Sequence, residues 1–359
     1  MIPPLSSALV PDAATTEHLR QMPKVELHVH LEGAIAAPTL LALAERHGIS
    51  LPGRTEAELA NWLQFRDFPH FADVYQSISR CIQTPEDLEM LTYEFLREQA
   101  RQSIWHTEFT FTAWTHFRNW GLPYAEQFAA LHQARQRAER DFGVSSLIIV
   151  DIPRGYASLQ EGLVVAEQAV LARACGVAAL GLGGYEVGNP VATYRSAFAL
   201  AHEAGLPCVL HAGETEGPAS IWEALEVGHS RRIGHGVRCL EDPALVTYLR
   251  THQIPLEVCP SSNVCLKVVA NYAVHPLPTL LAQGLYVTLN SDDPALFGTT
   301  LTQEYQKSYQ LLGLSLEQLA QLSANALAAS LLTPVQRVAL ENRFFIPSPA
   351  ASEAGNRTV

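Results

Sequence analysis

Eight short β-rich runs recur along the chain, most of them separated by enough residues for a crossover helix and its loops. They are Lys24 to His30 (KVELHVH), His106 to Thr112 (HTEFTFT), Ser146 to Ile152 (SLIIVDI), Val177 to Gly183 (VAALGLG), Pro207 to Gly213 (PCVLHAG), Arg231 to Gly236 (RRIGHG), Ile254 to Pro260 (IPLEVCP) and Leu285 to Ser291 (LYVTLNS). Several are continuously apolar, as parallel strands covered on both faces must be. The stretches between them carry helix signals. Thr84-Pro85-Glu86-Asp87 combines a capping residue, a proline for the first helical position and acidic residues for the first turn. Tyr194 to Ala204 stops at Gly205, where a left-handed cap is wanted. Eight βα units within 359 residues predict an α/β fold, a (β/α)8 TIM barrel. A Rossmann-like sheet would want a glycine-rich phosphate loop after its first strand. The one candidate, Gly181 to Glu186, lies mid-chain and lacks the third glycine.

One interval breaks the rhythm. Between the first two runs lies roughly twice what a crossover needs, and it includes the aromatic-rich segment Leu63 to Phe71. This predicts a helical insertion over about 33–104, placed as a lid beside the C-terminal face of the barrel, with 1–22 as an arm, 23–345 as the barrel and 346–359 as a tail. Lys plus Arg is 24 and Asp plus Glu is 36, a net charge of −12 that disfavours phosphate backbones and so excludes a nucleic acid as main partner. No apolar run reaches the ~18 residues of a membrane span, and the N-terminus shows no secretory signal. Six cysteines in a chain of this length read as buried thiols, not a disulfide framework, which points to the cytoplasm.

Polar residues inside buried strands are costly unless they are satisfied or used. Here they gather at the ends of the runs: His28 and His30 on one face of the first, His211 at the end of the fifth with Glu214 three residues on, His235 at the end of the sixth, and Asp292-Asp293 after the eighth. In a barrel those ends meet at one mouth, where three imidazoles and a carboxylate suit Zn²⁺. Other histidines, at 47, 70, 116, 202, 229, 252 and 275, fall in helical or loop stretches and read as surface or structural. The fourth run ends in Gly183-Gly184 without a lysine to bridge two ions, which argues for a single metal. No Gly-x-Ser-x-Gly turn is present, and Cys259-Pro260 has no paired base nearby in sequence. The chemistry expected is a metal-activated water attacking a substrate directly. His106-Thr107-Glu108 matches the His-x-Glu of zinc base deaminases, but no Pro-Cys-x-x-Cys follows, and it reads as a chance match opening an alternating strand.

Four segments together resemble the adenosine deaminase-like enzymes: Lys24 to Gly33 (KVELHVHLEG), His211 to Glu214 (HAGE), Arg232 to Gly236 (RIGHG) and Ser291 to Pro294 (SDDP). The resemblance implies a single Zn²⁺ per chain held by His28, His30, His211 and Asp292, and hydrolysis of the 6-amino group of a small-molecule purine. It assigns Glu214 to protonate ring N1, His235 to position and polarise the attacking water, and Asp293 to hydrogen-bond that water and help take its proton. The segments Gly183 to Gly188 (GGYEVG) and Cys259 to Asn263 (CPSSN) look more like the bacterial branch of adenine and aminodeoxyfutalosine deaminases. The Gly-Gly-x-Glu pattern and Phe65 to Tyr75 are similar to the aminodeoxyfutalosine enzymes. Gly183 stands where the adenosine and adenine groups usually have Asp. Substrate contacts are expected from Glu32 on the ribose side, from Gly183, Gly184 and Glu186, from Phe68 and from Asp293. A nucleoside, adenosine or aminodeoxyfutalosine, is the leading substrate and free adenine the alternative. A different metal-dependent barrel hydrolase and a non-catalytic purine-binding barrel are the competing classes.

Overall fold

The computed structural model describes residues 12–345; the expected tail at 346–359 and the first eleven residues of the expected arm lie outside them. Eight strands among the described residues form one parallel sheet, each paired with the next: β1 Lys24–His30, β2 Ile104–Phe111, β3 Ser145–Pro153, β4 Val177–Gly183, β5 Cys208–Ala212, β6 Ser230–His235, β7 Leu256–Val258 and β8 Val287–Leu289. The ring closes between β8 and β1 by an isolated parallel bridge between Val29 and Asp292. There the His30 amide donates to the Asp292 carbonyl (2.8 Å) and the Asp292 amide to that of His28 (3.0 Å). The Asn290 side chain accepts from the amides of Leu27 (2.9 Å) and His28 (3.1 Å), standing in for a longer β8. The architecture is a (β/α)8 TIM barrel, as the alternation of runs predicts.

Strand bounds follow the sequence closely at β1 and β4 and shrink at β7 and β8. Pro260 ends the seventh run because it lacks an N–H for the ladder; it opens the short helix Pro260–Cys265 instead. The expected alternation of burial in β2 is absent, since His106, Thr107 and Glu108 are all fully buried. A barrel strand faces helices outside and side chains inside, so neither face meets water. The helix expected to stop at Gly205 runs Arg195–Glu203, with Gly205 left-handed at φ 66°.

Helix α1 (Ala13–Gln21) precedes β1 and buries Leu19. Four further helices lie between β1 and β2: α2 Ala37–Arg46, α3 Glu56–Trp62, α4 Phe68–Ser79 and α5 Pro85–Arg101. The cap expected at Thr84 is present as a reciprocal capping box with Asp87. Asp87 also takes Arg46 (2.6 Å) and His47 (2.7 Å), tying α2 to α5. Helix α4 starts at an Asp67 cap, and its apolar face carries Phe71 against Phe65 and Phe297, with ring centroids 5.3 and 5.4 Å away. This aromatic seam fixes α4 over the barrel mouth. All six cysteines are free; four are buried, whereas Cys175 and Cys265 are only partly so. No helix among the described residues is long and apolar enough to cross a membrane.

Candidate active site

The strand ends do converge. One ligand atom from each of His28, His30, His211 and Asp292 lies within 4.8 Å of the others, and all four residues are buried. The Asp292 Oδ1 atom stands 3.4 Å from His28 Nε2 and 3.3 Å from His30 Nε2, and His30 Nε2 is 3.2 Å from His211 Nε2. Lone-pair atoms turned on one another in a dry site need a cation or protons between them. Among the described residues His28 Nε2 has no hydrogen-bond partner. Three imidazole nitrogens and one carboxylate oxygen, inward-facing and buried, form a donor set that fits one divalent metal. A second group, His235, Cys259 and Asp292, shares the same carboxylate. Burial there pushes the Cys259 thiol well up, which keeps it protonated.

The bare cluster is strongly polarised. Burial drives His211 well below its usual value, and the neighbouring His28 and His30 reinforce the shift, so its ring is neutral. Burial also opposes charge on His28, but Asp292 and Glu257 outweigh it and raise the ring to about 10. His30 likewise reaches about 9 against its burial, through Asp293 and Asp292. A metal ion would replace these protons, as metal binding to imidazole does in general.

Supporting contacts aim the ligands. Glu257 Oε2 lies 3.0 Å from His28 Nδ1, which leaves Nε2 facing the cluster. Its other oxygen accepts from Arg232 Nε (2.5 Å). Glu26 accepts from the Ser291 amide (3.1 Å) and hydroxyl (2.5 Å), fixing the turn that presents Asp292. Asp292 (φ 64°) and His235 (φ 61°) are both left-handed, a strained backbone found chiefly where surrounding structure imposes it.

Beside the cluster stand Glu214, His235 and Asp293. Glu214 Oε1 is 3.7 Å from His235 Nε2 and, being buried, has no hydrogen-bond partner among the described residues. Burial raises its carboxyl well above the usual range, with Asp292 and Glu186 adding to the shift, which favours the protonated form. Burial lowers His235 to about 4, leaving a neutral ring whose Nε2 is 3.8 Å from Asp292 Oδ2. Asn263 Nδ2 approaches the other ring nitrogen at 3.4 Å. Asp293 also has an unpartnered Oδ1, and burial raises its carboxyl well up. A Cβ on Gly33 would sit 1.7 Å from that oxygen, so only glycine there admits Asp293.

His30, His211, Asp292, Glu214, His235 and Asp293 open into one cavity. Of the residues expected to touch substrate, Phe68, Gly183, Gly184 and Asp293 line it, whereas Glu32 and Glu186 do not. Glu32 is fully buried: Oε1 lies 3.1 Å from His116 Nε2 and accepts from the Thr112 amide (3.1 Å), and Oε2 accepts from the Tyr75 hydroxyl (3.2 Å). Glu186 accepts from the amides of Gly213 (3.0 Å), Glu214 (2.8 Å) and Thr215 (2.8 Å), and from the Ser220 hydroxyl. It thereby holds the loop that presents Glu214. Two residues went unnoticed in the sequence, Asp151, which lines the cavity, and Glu257 behind it, and two more, Tyr75 in the lining and Asn263 behind it, stood in segments singled out there without a role of their own. Asp151 and Glu257 each interrupt an apolar run near its C-terminal end, the same signal that marks His211 and His235.

Comparison with known proteins agrees with this geometry. The family model described as "Adenosine deaminase" matches residues 23–345. An aminodeoxyfutalosine deaminase of Streptomyces avermitilis is 42% identical over 314 residues, covering 87% of each chain. The crystal structure of an adenine deaminase from Arthrobacter aurescens superposes with a TM-score of 0.86 at 37% identity, over 90% of this chain and 98% of the other. An amidohydrolase from Burkholderia ambifaria, solved with bound Zn, gives a TM-score of 0.87 at 26% identity over 95% of each chain. Motifs, barrel and convergent strand ends thus have one common explanation: the chain belongs to the adenosine deaminase family.

Proposed function

We propose that the chain is a zinc-dependent purine deaminase that removes the 6-amino group of a nucleoside, with aminodeoxyfutalosine ahead of adenosine. The observation that carries this reading is the buried Glu214 carboxyl, one oxygen unpartnered among the described residues, in the same cavity wall as His30, His211 and Asp292 of the cluster. Those four residues would hold the ion, and the zinc-containing relative supports its identity. When bound, Zn²⁺ supplies the Lewis acidity that makes water a nucleophile near neutral pH.

The chain's own residues do the rest. Glu214 delivers its proton to ring N1, which makes C6 electrophilic. An ester has no ring nitrogen that needs a proton, which disfavours an esterase. Neutral His235, steadied by Asn263, orients the attacking water. Asp293 accepts the proton of that water and returns it to the departing amine, so ammonia leaves. Phe68 and Tyr156 offer rings to the purine face, while Gly183 and Gly184 leave space for a substituent. The catalytic unit is residues 23–345, and the six free cysteines support a reducing compartment, the cytoplasm.

Free adenine is the second reading, favoured by the likeness to the Arthrobacter enzyme. Steady-state ammonia release on zinc-loaded protein tests both, comparing kcat/KM for aminodeoxyfutalosine, adenosine and adenine. The expected order is aminodeoxyfutalosine, adenosine, adenine. A preference for adenine would replace the nucleoside, and no release from any of the three with zinc bound would overturn the purine reading.

A further inference from the structure

We propose that Asp151 is the residue that reads the sugar of the substrate, and that the bare glycine positions 181 and 183 on the neighbouring strand are what admit it. The inference rests on the nucleoside reading and extends it to a specificity residue. Asp151 lies near the C-terminal end of β3, is 3% exposed and lines the cavity. Its Oδ1 atom has no hydrogen-bond partner among the described residues. A buried carboxylate oxygen left unpaired is costly, so a ligand group is the economical way to satisfy it.

The neighbouring strand is shaped around this side chain. Gly181 and Gly183 are two residues apart and therefore share one face of β4. A Cβ at 181 would stand 3.1 Å from Asp151 Cβ, and one at 183 would stand 2.7 Å from Asp151 Oδ2. The carboxylate thus runs along a track that any side chain at 183 would block. The chain lacks an acidic residue at 183 but places one in that space from β3.

Ligand chemistry names the group it meets. In a 6-aminopurine nucleoside the ring offers N3 and N7 as acceptors, N1 receives a proton from Glu214, and the 6-amino group departs. The donors left for a carboxylate are the sugar hydroxyls. Glu32, the other carboxylate considered for that side, has both oxygens engaged by His116, the Thr112 amide and Tyr75, and stands outside the cavity lining.

The test is a cycle between variant and substrate. Asp151→Ala is compared with wild type on adenosine and on its 2′-deoxy and 3′-deoxy analogues, with zinc content measured on each protein. For adenosine, kcat/KM should fall about 10–100-fold, mainly through KM, the size of one hydrogen bond to a charged group. On the analogue missing the paired hydroxyl the variant and wild type should differ by less than about threefold. Gly183→Ala, which leaves Asp151 in the sequence but fills its space, should lose the same discrimination. Binding of inosine against its deoxy forms gives the same contrast without turnover. An equal loss on all three substrates and on 5′-deoxyadenosine would overturn the proposal, and so would loss of zinc from Asp151→Ala, which would mark a group that positions the neighbouring His30. Wild-type protein that turns over adenine but no nucleoside would instead sink the reading on which the proposal rests.

Discussion

The mouth of the barrel and the floor beneath it are both buried and both charged, yet they are built on opposite principles. On the floor, Arg232 is fully enclosed between Glu108 (2.7 Å) and Glu257 (2.5 Å), and its remaining guanidinium nitrogen donates to the Ala329 carbonyl (3.1 Å). Every charge there has a counter-charge. At the mouth, Glu214 Oε1, Asp293 Oδ1 and Asp151 Oδ1 are buried without hydrogen-bond partners among the described residues, and all three residues line the cavity. Folding alone is a poor account of three such atoms on the wall of one cavity, because each costs stability. On the floor the atoms that lack a directed hydrogen bond, Arg232 Nη2 and Glu108 Oε2, face each other as an ion pair, whereas at the mouth such atoms stand on a cavity wall.

The largest effect that separates the two regions is on turnover. Glu214→Gln keeps the shape of the mouth but removes the proton, and kcat should fall by about 10³-fold or more, since positioned general acids contribute up to ~10⁴. Zinc content and the unfolding midpoint should stay at the wild-type level. In the proposed mechanism the acid form of Glu214 is the active one, and burial raises its carboxyl well above the usual range. Activity governed by it is therefore full at low pH on that limb and declines as pH rises through the raised value. The Gln variant should lack this alkaline limb. A variant with ordinary kcat would remove Glu214 from its role and the mouth from the comparison.

The floor should respond in stability. Arg232→Met leaves Glu108 and Glu257 buried without their cation, and breaking a pair in this way costs about 3–5 kcal/mol. The matching change at the mouth is His211→Ala, which removes a ring that burial already keeps neutral. It should lower zinc content sharply, while the denaturation midpoint of the metal-free protein moves less than in Arg232→Met. If His211→Ala destabilised the metal-free protein as much as the floor variant does, the mouth would be part of the folding core, and the contrast would fail.

The same contrast governs what could be read without a structure. The barrel was legible because each strand is an apolar run punctuated at one end, and the mouth was legible because those punctuating residues are His, Glu and Asp. Asp151 and Glu257 obey the identical rule, but neither stands in a segment with a second signal beside it, as His28 does with His30. Partnership was not legible at all. His116 sits far along the chain from Glu32, and three amides of the Glu214 loop close on Glu186 only once β4 and β5 lie side by side. A carboxylate near a site in sequence can thus be a ligand contact or a clamp on backbone, and tertiary hydrogen bonds decide which. The shortening of β8 has the same origin, since the Asn290 side chain takes over the ladder from 263 residues away in sequence.

Glu257 joins the regions, with one oxygen on Arg232 and the other on His28, and it offers the finest division between them. Glu257→Gln keeps the volume but gives up the charge and one acceptor oxygen. Outer carboxylates behind metal-bound histidines are worth about 10–100-fold in metal affinity, so zinc should bind more weakly by that factor in competition with a chelator. The floor should register the same change more faintly than Arg232→Met does, because Glu108 still pairs with the guanidinium. At saturating zinc, kcat should return to near the wild-type value, as Glu257 reaches the reaction only through the orientation of His28. A kcat that stays low with zinc fully bound would mean that the floor enters the chemistry itself, and the boundary between the two regions would have to be drawn below Glu257.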